Sequence, residues 1–247
     1  MGSRSSWRQS WCIFLDVDGT LLEFAETPDD VAVEAGLVAV LERLATAVNG
    51  ALALVSGRPI AVLDRLFAPL RLPSAGVHGL ERRNALGEIT EGPVDWLPLA
   101  AARHALQEFV AHHPALILED KVVALALHWR RDPALHTAAR SLLLSLLERV
   151  GPDFQLQEGA FVLELKPSAR DKGTAVDSFL QEPPFAGRVP LFIGDDLTDA
   201  DAFRAVERHG GWAIGVGSQP GTALRLEDPR AVRRWLARLT GPNGLLA

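Results

Sequence analysis

The sequence predicts an α/β protein with a doubly wound, parallel-sheet core and an inserted α+β cap domain. Three short apolar runs, at 11–15, 51–55 and 191–193, each end at a polar residue or a glycine. They lack the alternation of half-exposed strands and are separated by helical patterns, which is typical of buried parallel strands. The middle of the chain instead shows a helix followed by two strands, twice over, which indicates a small antiparallel sheet backed by helices.

The core helices are predicted from apolar residues at helical spacing. The pattern is found at 30–48, 60–70, 171–180 and 200–208. The first of these segments ends near Asn49-Gly50, a common stop signal at a helix C-terminus. Helices that alternate with buried strands predict a doubly wound sheet.

The cap domain is predicted at 84–166, inserted into a core formed by 1–83 and 167–247. Its helices are expected at 97–113 and 133–150, and its strands at 115–118, 122–129, 154–157 and 160–166. A turn is expected at Glu119-Asp120-Lys121. Gly87 and Gly92-Pro93 favour a linker at the first crossing between the domains.

Composition and charge exclude several classes of protein. Among 247 residues, 48% are hydrophobic and 23% charged, as in ordinary folded domains. The formal net charge of −6 argues against a nucleic-acid partner. No stretch approaches the roughly 20 apolar residues of a membrane span, and residues 1–10 lack the apolar core of a signal peptide. With Cys12 as the single cysteine, inside an apolar run, we expect a cytoplasmic monomer with no membrane partner.

Lysine is rare in this chain. Of 25 lysines and arginines, three are lysines: Lys121, Lys166 and Lys172. An ammonium is a compact point charge that a guanidinium does not replace, so these positions are candidate functional sites. The alternative is genome base composition with chance placement.

Acidic residues follow the predicted core strands. Asp16 and Asp18 come directly after the first strand, and Asp195, Asp196 and Asp199 follow the last. The carboxyl ends of the strands line the ligand crevice of an open α/β sheet, so these carboxylates are expected to meet. Crowded carboxylates repel unless a cation neutralises them. A divalent metal with oxygen ligands, such as Mg²⁺, is therefore predicted. Mg²⁺ typically takes one or two carboxylates, waters and a phosphate oxygen of a substrate as ligands.

These residues resemble the motifs of the haloacid dehalogenase superfamily, in the right order along the chain. The matching segments are Asp16-Val17-Asp18-Gly19-Thr20-Leu21, Ser56-Gly57-Arg58, Asp171-Lys172-Gly173 and Gly194-Asp195-Asp196-Leu197-Thr198-Asp199. The resemblance implies that Asp16 attacks phosphorus to form an aspartyl-phosphate and that Asp18 is the general acid and base. It also implies Mg²⁺ ligation by Asp16, Asp18 (through its carbonyl) and Asp195, with Asp196 as a further ligand or as a hydrogen-bond acceptor next to the ligands.

The same resemblance implies that Ser56 binds a phosphate oxygen and that Lys172 offsets negative charge. Each residue has a structural alternative. Ser56 can be a helix N-cap and Lys172 a solvated surface residue. Asp199 can be a helix N-cap or an acid of the first turn.

Within the superfamily, the chain resembles the trehalose-phosphate phosphatases most closely. The resemblance runs through segments 76–81, 119–121, 128–130 and 164–167. It implies a small sugar phosphate as substrate, with the distal glucose bound by Glu119, Lys121 and Glu164. Further substrate-binding candidates are Arg58, His78 and Arg130. Most of these residues also have a structural alternative. Glu119 and Lys121 can be solvated charges, and Arg58 can form a salt bridge in the core. His78 can have a buried structural role, and His128 and Arg130 can make local hydrogen bonds.

The strand predicted at 160–166 supports a substrate-facing role independently. Alternation places Phe161, Leu163 and Leu165 on the cap helices, and it places Glu164 on the opposite, open face.

The rival functions are those of sister enzymes acting on sucrose phosphate or mannosyl-phosphoglycerate, of a phosphomutase and of a catalytically silent sugar-phosphate sensor. Intact Asp16, Asp18, Lys172 and Asp195 argue against the sensor.

Overall fold

The chain forms two compact units in the computed structural model. The structure describes residues 10–24, 31–91, 96–120, 124–159, 161–168, 170–218 and 222–241. The larger unit combines Met1–Gly92 with Arg170–Ala247, and the smaller unit is Pro93–Ala169.

A mainly parallel sheet forms the centre of the larger unit. Its eight strands within the described ranges are β1 (Trp11–Leu15), β2 (Leu52–Val55), β3 (Ser74–Gly76), β4 (Glu81–Arg83), β5 (Ile89–Glu91), β10 (Val189–Gly194), β11 (Trp212–Val216) and β12 (Leu224–Leu226). The spatial order is β12-β11-β10-β1-β2-β3-β4-β5. Pairing is parallel from β12 to β3 and antiparallel for β4 and β5. The predicted α/β class with a parallel core is confirmed.

Strand order reverses beside β1. The chain runs outward from β1 to β3 on one side, and from β10 to β12 on the other. Ligands of open α/β sheets bind outside the carboxyl ends of the strands at such a switch point. The carboxyl ends of β1 and β10 are therefore the expected location of a site.

Helices and aromatic side chains cover the sheet of the larger unit. The helices are α1 (Leu37–Ala47), α2 (Ile60–Leu66), α5 (Lys172–Phe179), α6 (Ala200–Arg208) and α7 (Pro229–Leu239). Helix α1 packs against α7, and α5 against α6. The rings of Phe14, Phe179 and Phe185 pack together with centroids 5.0 to 5.9 Å apart, all fully buried.

The smaller unit is an antiparallel sheet packed against two helices. Its strands are β6 (Ile117–Asp120), β7 (Leu125–His128), β8 (Phe154–Gly159) and β9 (Val162–Pro167), in the order β6-β7-β9-β8. The helices are α3 (Trp96–His112) and α4 (His136–Val150), the second preceded by a 3₁₀ turn at Pro133–Leu135. Leu125, Leu127, Leu163 and Leu165 share one apolar core with both helices. Residues between them along the strands face away from that core.

Several predicted boundaries differ from the structure. Helix α1 begins at Leu37, and its predicted start at residue 30 lies outside the described residues. Helix α2 ends at Leu66, before Pro69, which has no N–H to continue a helix. The smaller unit starts after β5, because the β4–β5 hairpin extends the larger sheet beyond the predicted crossing at Asn84.

The prediction that Phe161 packs on the helices is wrong. Its backbone has a φ of 63°, and its side chain is 44% exposed. The strand begins one residue later, at Val162, so alternation does not extend to Phe161. Its carbonyl accepts a hydrogen bond from the N–H of Trp129 at 3.1 Å.

Cys12 is buried in β1, and burial raises the pKa of its thiol to about 12. A protonated, inaccessible thiol packs as a small apolar side chain. Of the helices that the structure describes, none combines the length and apolar character needed to cross a bilayer.

We expect the Phe185→Ala variant to lower the free energy of unfolding by about 3–5 kcal/mol, since it leaves a cavity between two buried rings. Urea denaturation followed by circular dichroism measures the change. The matched control is Phe24→Ala, because Phe24 is 73% exposed. Equal losses in the two variants would contradict the assignment of the Phe14–Phe179–Phe185 cluster to the core.

Candidate active site

The switch point brings two predicted aspartates together. Asp16 follows β1 and Asp195 follows β10, and these strands pair in register up to Leu15 and Ile193. The N–H of Asp16 donates to the carbonyl of Ile193 at 3.0 Å, which continues the pairing by one residue. The sheet itself therefore fixes the spacing of the two residues.

The turn after β1 closes tightly over Asp195. Gly19 has a φ of 78°, and a Cβ there would lie 2.1 Å from Oδ2 of Asp195. The hydroxyl of Thr20 donates to Oδ1 of Asp195 at 2.9 Å. Glycine is required both by the left-handed backbone and by the close carboxylate.

Lys172 lies inside the site, not on the surface. It is the first residue of α5 and is 3% exposed. Asp171 caps this helix in a reciprocal capping box with Thr174, which fixes where the helix begins. The Lys172 ammonium donates to Oδ1 of Asp16 and to Oδ1 of Asp199, each at 2.7 Å. The surface alternative for Lys172 is thereby excluded.

Asp199 organises the turn that follows β10. It occupies the N-cap position of α6, but its side chain makes no capping hydrogen bond there. Its Oδ2 instead accepts from the N–H groups of Asp195 and Asp196, at 2.9 and 3.0 Å. A Cβ on Gly194 would lie 2.4 Å from the same oxygen. Asp199 is fully buried and holds Lys172 and the Asp195 backbone together.

Burial and crowding shift the protonation of the site. Burial raises the pKa of Asp16 well above its usual range, and the nearby Asp199 and Asp195 carboxylates add to the shift. The pKa of Asp195 is also raised, chiefly by burial. Burial acts to lower the pKa of Lys172, but Asp16 and Asp199 outweigh it and raise that pKa. The Lys172 ammonium therefore stays charged. Its single positive charge does not balance the carboxylates of Asp16, Asp195 and Asp199.

A cation fits this arrangement. Carboxylate oxygens of Asp16, Asp195 and Asp199 lie within 4.8 Å of one another. Both oxygens of Asp199 already accept hydrogen bonds, so Asp16 and Asp195 are the pair best suited to a metal. Asp196 is exposed and is not a member of this group. Its predicted metal contact and that of the Asp18 carbonyl stay predictions.

Asp18, the predicted general acid and base, is held by Arg58. Nε and Nη2 of Arg58 donate to the two oxygens of Asp18 at 2.7 and 2.8 Å, a bidentate pair. Arg58 therefore contacts the carboxylate of the predicted general acid and base, and its predicted substrate contact stays a prediction. Ser56 is buried, and its Oγ accepts from the N–H of Arg58 at 3.1 Å. It is not a helix cap, because α2 begins after Pro59.

His78 lies against the Ser56-Gly57-Arg58 segment. A Cβ on Gly57 would be 2.8 Å from Nε2 of His78, and the His78 N–H donates to the Ser56 carbonyl at 3.0 Å. These contacts support the structural alternative for His78. Its predicted substrate contact stays a prediction.

Two of the residues predicted in the smaller unit, Glu119 and Glu164, lie on the sheet face opposite the apolar core. The β6–β7–β9–β8 register puts Glu119, Ala126, Glu164 and Gln157 side by side. Directly paired residues of antiparallel strands share a face, so these side chains form one polar row, called here the Glu164 row. Glu119 lies within β6 and not in a turn, and its Oε2 is 3.0 Å from Nε2 of His128.

The remaining candidates of the smaller unit are not in this row. Arg130 is exposed, with its guanidinium 5.7 Å from the centroid of the Phe161 ring. Lys121 lies outside the described residues.

Sequence reasoning missed two contributors to these sites. Thr20 was read only as part of a motif, although a hydroxyl directly after Asp-x-Asp-Gly is placed to reach a neighbouring strand end. Gln157 in β8 could have been found by alternation, since Leu156 packs on the apolar core and its neighbour does not.

Comparison with known proteins decides the family. The sequence profile described as trehalose-phosphatase matches residues 14–229. A trehalose-6-phosphate phosphatase of Escherichia coli is 42% identical over 239 residues, covering 95% of this chain and 88% of the relative. A probable trehalose-phosphate phosphatase of Sinorhizobium fredii is 43% identical over 208 residues, covering 84% of this chain and 78% of the relative.

The chain belongs to the trehalose-phosphatase family. Solved structures agree on the fold. A trehalose-6-phosphate phosphatase of Aspergillus fumigatus matches with a TM-score of 0.71 at 25% identity, covering 94% of this chain and 93% of that structure. The C-terminal domain of the Candida albicans trehalose-6-phosphate phosphatase matches with a TM-score of 0.74, at 23% identity, over 94% and 92% of the two chains.

The match to the trehalose-phosphatase profile spans both units of the chain. Residues 14–229 contain β1 with Asp16, the entire smaller unit and the Asp195 turn. The family match therefore covers the smaller unit as well as the strand ends of the larger unit that carry Asp16 and Asp195.

We expect the Gly19→Ala variant of this family member to lose about 10²-fold or more in kcat/KM, because displacing Asp195 by an ångström misplaces the reacting groups. The measurement is phosphate release at fixed Mg²⁺, with circular dichroism to verify folding. Gly36→Ala is the matched control, since Gly36 has a φ of 90° but open space at its Cβ. A Gly36 variant impaired as much as the Gly19 variant would trace the loss to backbone strain alone.

Proposed function

We propose that this chain hydrolyses trehalose 6-phosphate to trehalose and phosphate in a Mg²⁺-dependent reaction. The proposal rests on the Asp16–Lys172–Asp195 arrangement at the switch point of the sheet, in a member of the trehalose-phosphatase family. The 42% identical relative carries that activity in its name. The cytoplasmic location, the monomeric state and the lack of a nucleic-acid partner stay predictions from the sequence.

The first chemical step uses Asp16 as nucleophile. One of its oxygens attacks phosphorus, the bond from phosphorus to the sugar oxygen breaks, and an aspartyl-phosphate forms. The Lys172 ammonium, 2.7 Å from Oδ1 of Asp16, keeps the nucleophile oriented and offsets charge on the phosphoryl group. A bound Mg²⁺ would supply Lewis-acid stabilisation of the phosphoryl oxygens, held by Asp16 and Asp195.

Asp18 moves the protons. In the first step it donates a proton to the leaving sugar oxygen, and in the second it takes a proton from the water that attacks the aspartyl-phosphate. The second step releases phosphate and restores the Asp16 carboxylate. Arg58 grips both oxygens of Asp18, which limits the rotation of this carboxyl group in the resting enzyme.

Sugar recognition is assigned to the smaller unit. The Glu164 row offers carboxylate and amide oxygens from three strands, and hydroxyl-rich ligands hydrogen-bond well to such groups. Glu164 is largely buried, so a hydroxyl that pairs with it does so away from bulk water. A site that hydrogen-bonds the hydroxyls of its substrate strongly rejects an analogue that lacks them.

We expect wild-type enzyme with Mg²⁺ to release phosphate from trehalose 6-phosphate at least about 10²-fold more efficiently than from glucose 6-phosphate, because the second glucose adds hydroxyl contacts. A substrate panel containing sucrose 6-phosphate and mannosyl-phosphoglycerate measures kcat/KM. Chelation of Mg²⁺ abolishes the rate, and Asp16→Asn lowers it by about 10³-fold or more. Equal rates on trehalose 6-phosphate and glucose 6-phosphate would refute the substrate assignment.

We expect Glu164→Ala to lower kcat/KM for trehalose 6-phosphate by about 10²-fold and for a small aryl phosphate by less than about threefold, since the aryl ester makes no sugar contacts. Glu158→Ala is the matched control. Glu158 is an exposed acid of the same sheet, opposite Leu163 and so on the helix side. Equal losses on both esters would assign Glu164 to folding or to the core chemistry.

A further inference from the structure

A strained turn packs against the segment that carries Ser56 and Arg58. This 3₁₀ turn at Val77–Gly79 includes Val77 and His78, with φ values of 54° and 55°. A β-branched residue with positive φ is rare and persists only where its surroundings impose it. The turn is therefore held in place by contacts worth more than its strain.

Those contacts are made to the backbone of the Ser56–Arg58 segment. The N–H of Val77 donates to the Arg58 carbonyl at 3.1 Å, and the N–H of His78 donates to the Ser56 carbonyl at 3.0 Å. The N–H of Ser56 donates to the Ala75 carbonyl at 2.8 Å. Three hydrogen bonds thus hold the segment against the end of β3 and the strained turn.

Glu81 adds a side-chain contact to the same assembly. Its Oε2 accepts from the N–H of Ile60, the first residue of α2, at 2.7 Å. The N-cap residue of α2 is Pro59, which has no side-chain acceptor, and the helix has no acid of its own in the first turn. Glu81, a residue of β4, therefore caps α2 at Ile60, which is two residues after Arg58.

Gly76 shows how closely these groups pack. A Cβ there would lie 2.8 Å from the Ile60 nitrogen, 2.9 Å from the Arg58 carbonyl oxygen and 3.1 Å from Oε2 of Glu81. Gly76 and Glu81 are direct partners in the β3–β4 pair. The backbone between Arg58 and Ile60 therefore has little room to shift while the Glu81 contact is intact.

We propose that Glu81 is a positioning residue for catalysis, which fixes the backbone of Arg58 so that its guanidinium holds both oxygens of Asp18. The proposal rests on the proposed role of Asp18 as general acid and base. Glu81 reaches the Asp18 carboxylate through other groups. It acts through the Ile60 N–H, the Arg58 backbone and the Arg58–Asp18 pair, in that order.

The test is a double-mutant cycle of Glu81→Ala and Arg58→Ala, with kcat and KM measured on a small aryl phosphate well below the unfolding temperature. Glu81→Ala should lower kcat by about 10- to 100-fold with little change in KM, the size expected for a misplaced reacting group. In the Arg58→Ala background the same change should cost less than about twofold, because residues acting through one contact are not additive. Equal losses in both backgrounds would overturn the proposal.

Two further variants separate positioning from folding. Glu81→Gln keeps an acceptor oxygen at the same reach and should retain kcat within about threefold of wild type. If Glu81→Gln is as impaired as Glu81→Ala, the capping argument is contradicted. If Glu81→Ala is unstable, the Glu81→Gln variant serves as the folded reference. Glu91→Ala, an exposed acid directly opposite Glu81 in the β4–β5 pair, is the matched control and should leave kcat unchanged.

The aryl phosphate keeps the two proposals separable. Its turnover needs the catalytic edge of the larger sheet but no particular sugar. Wild-type rates on trehalose 6-phosphate and on the aryl ester, measured first, decide the substrate assignment. The cycle on the aryl ester decides the role of Glu81, whichever sugar phosphate the enzyme prefers.

Discussion

Three carboxylates and one ammonium share the carboxyl edge of the larger sheet, and much of the surrounding structure holds them there. Asp16, Asp195 and Asp199 have oxygens within 4.8 Å of one another, while Lys172 is the amine that pairs with two of them. Such an imbalance is costly away from water. It is tolerated because the sheet pairing, the capped start of α5 and the turn after β10 leave these groups no alternative position.

The imbalance also explains why the site is suited to a phosphate ester. An anionic substrate cannot approach uncompensated carboxylates, whereas a divalent cation held by Asp16 and Asp195 would neutralise their excess negative charge. Gly19 and Gly194 have the complementary role of letting backbone approach the Asp195 and Asp199 carboxylates. Electrostatics and steric fit therefore impose the same residue choices at this edge.

The ends of β1, β2 and β10 were predictable from sequence because each of these strands contains a short apolar run that stops at a polar residue or a glycine. Strands of three residues, such as β3 and β12, are too short for any periodic pattern to show. Gly215 interrupts the apolar run of β11 and weakens its signal. Phe161 was misplaced because alternation shows the direction of a side chain only while the strand continues.

The parts of the site that sequence could not give are contacts between distant segments. From sequence alone, an acid at position 199 is equally compatible with a helix N-cap and with a contact to a lysine. Only the fold shows that its side chain contacts Lys172. The Arg58–Asp18 pair joins residues 40 positions apart, and the Glu81 cap serves a helix that begins 21 residues earlier. No local pattern encodes such distances.

The scarcity of lysine has a practical consequence for chemical modification of this protein. Of its three lysines, Lys172 is 3% exposed and doubly paired with carboxylates, which disfavours the neutral amine that acylating reagents require. Lys166 is only half-buried, on the sheet of the smaller unit. Lysine-directed labelling would therefore spare Lys172 and favour Lys166, on the smaller unit where the sugar is proposed to bind.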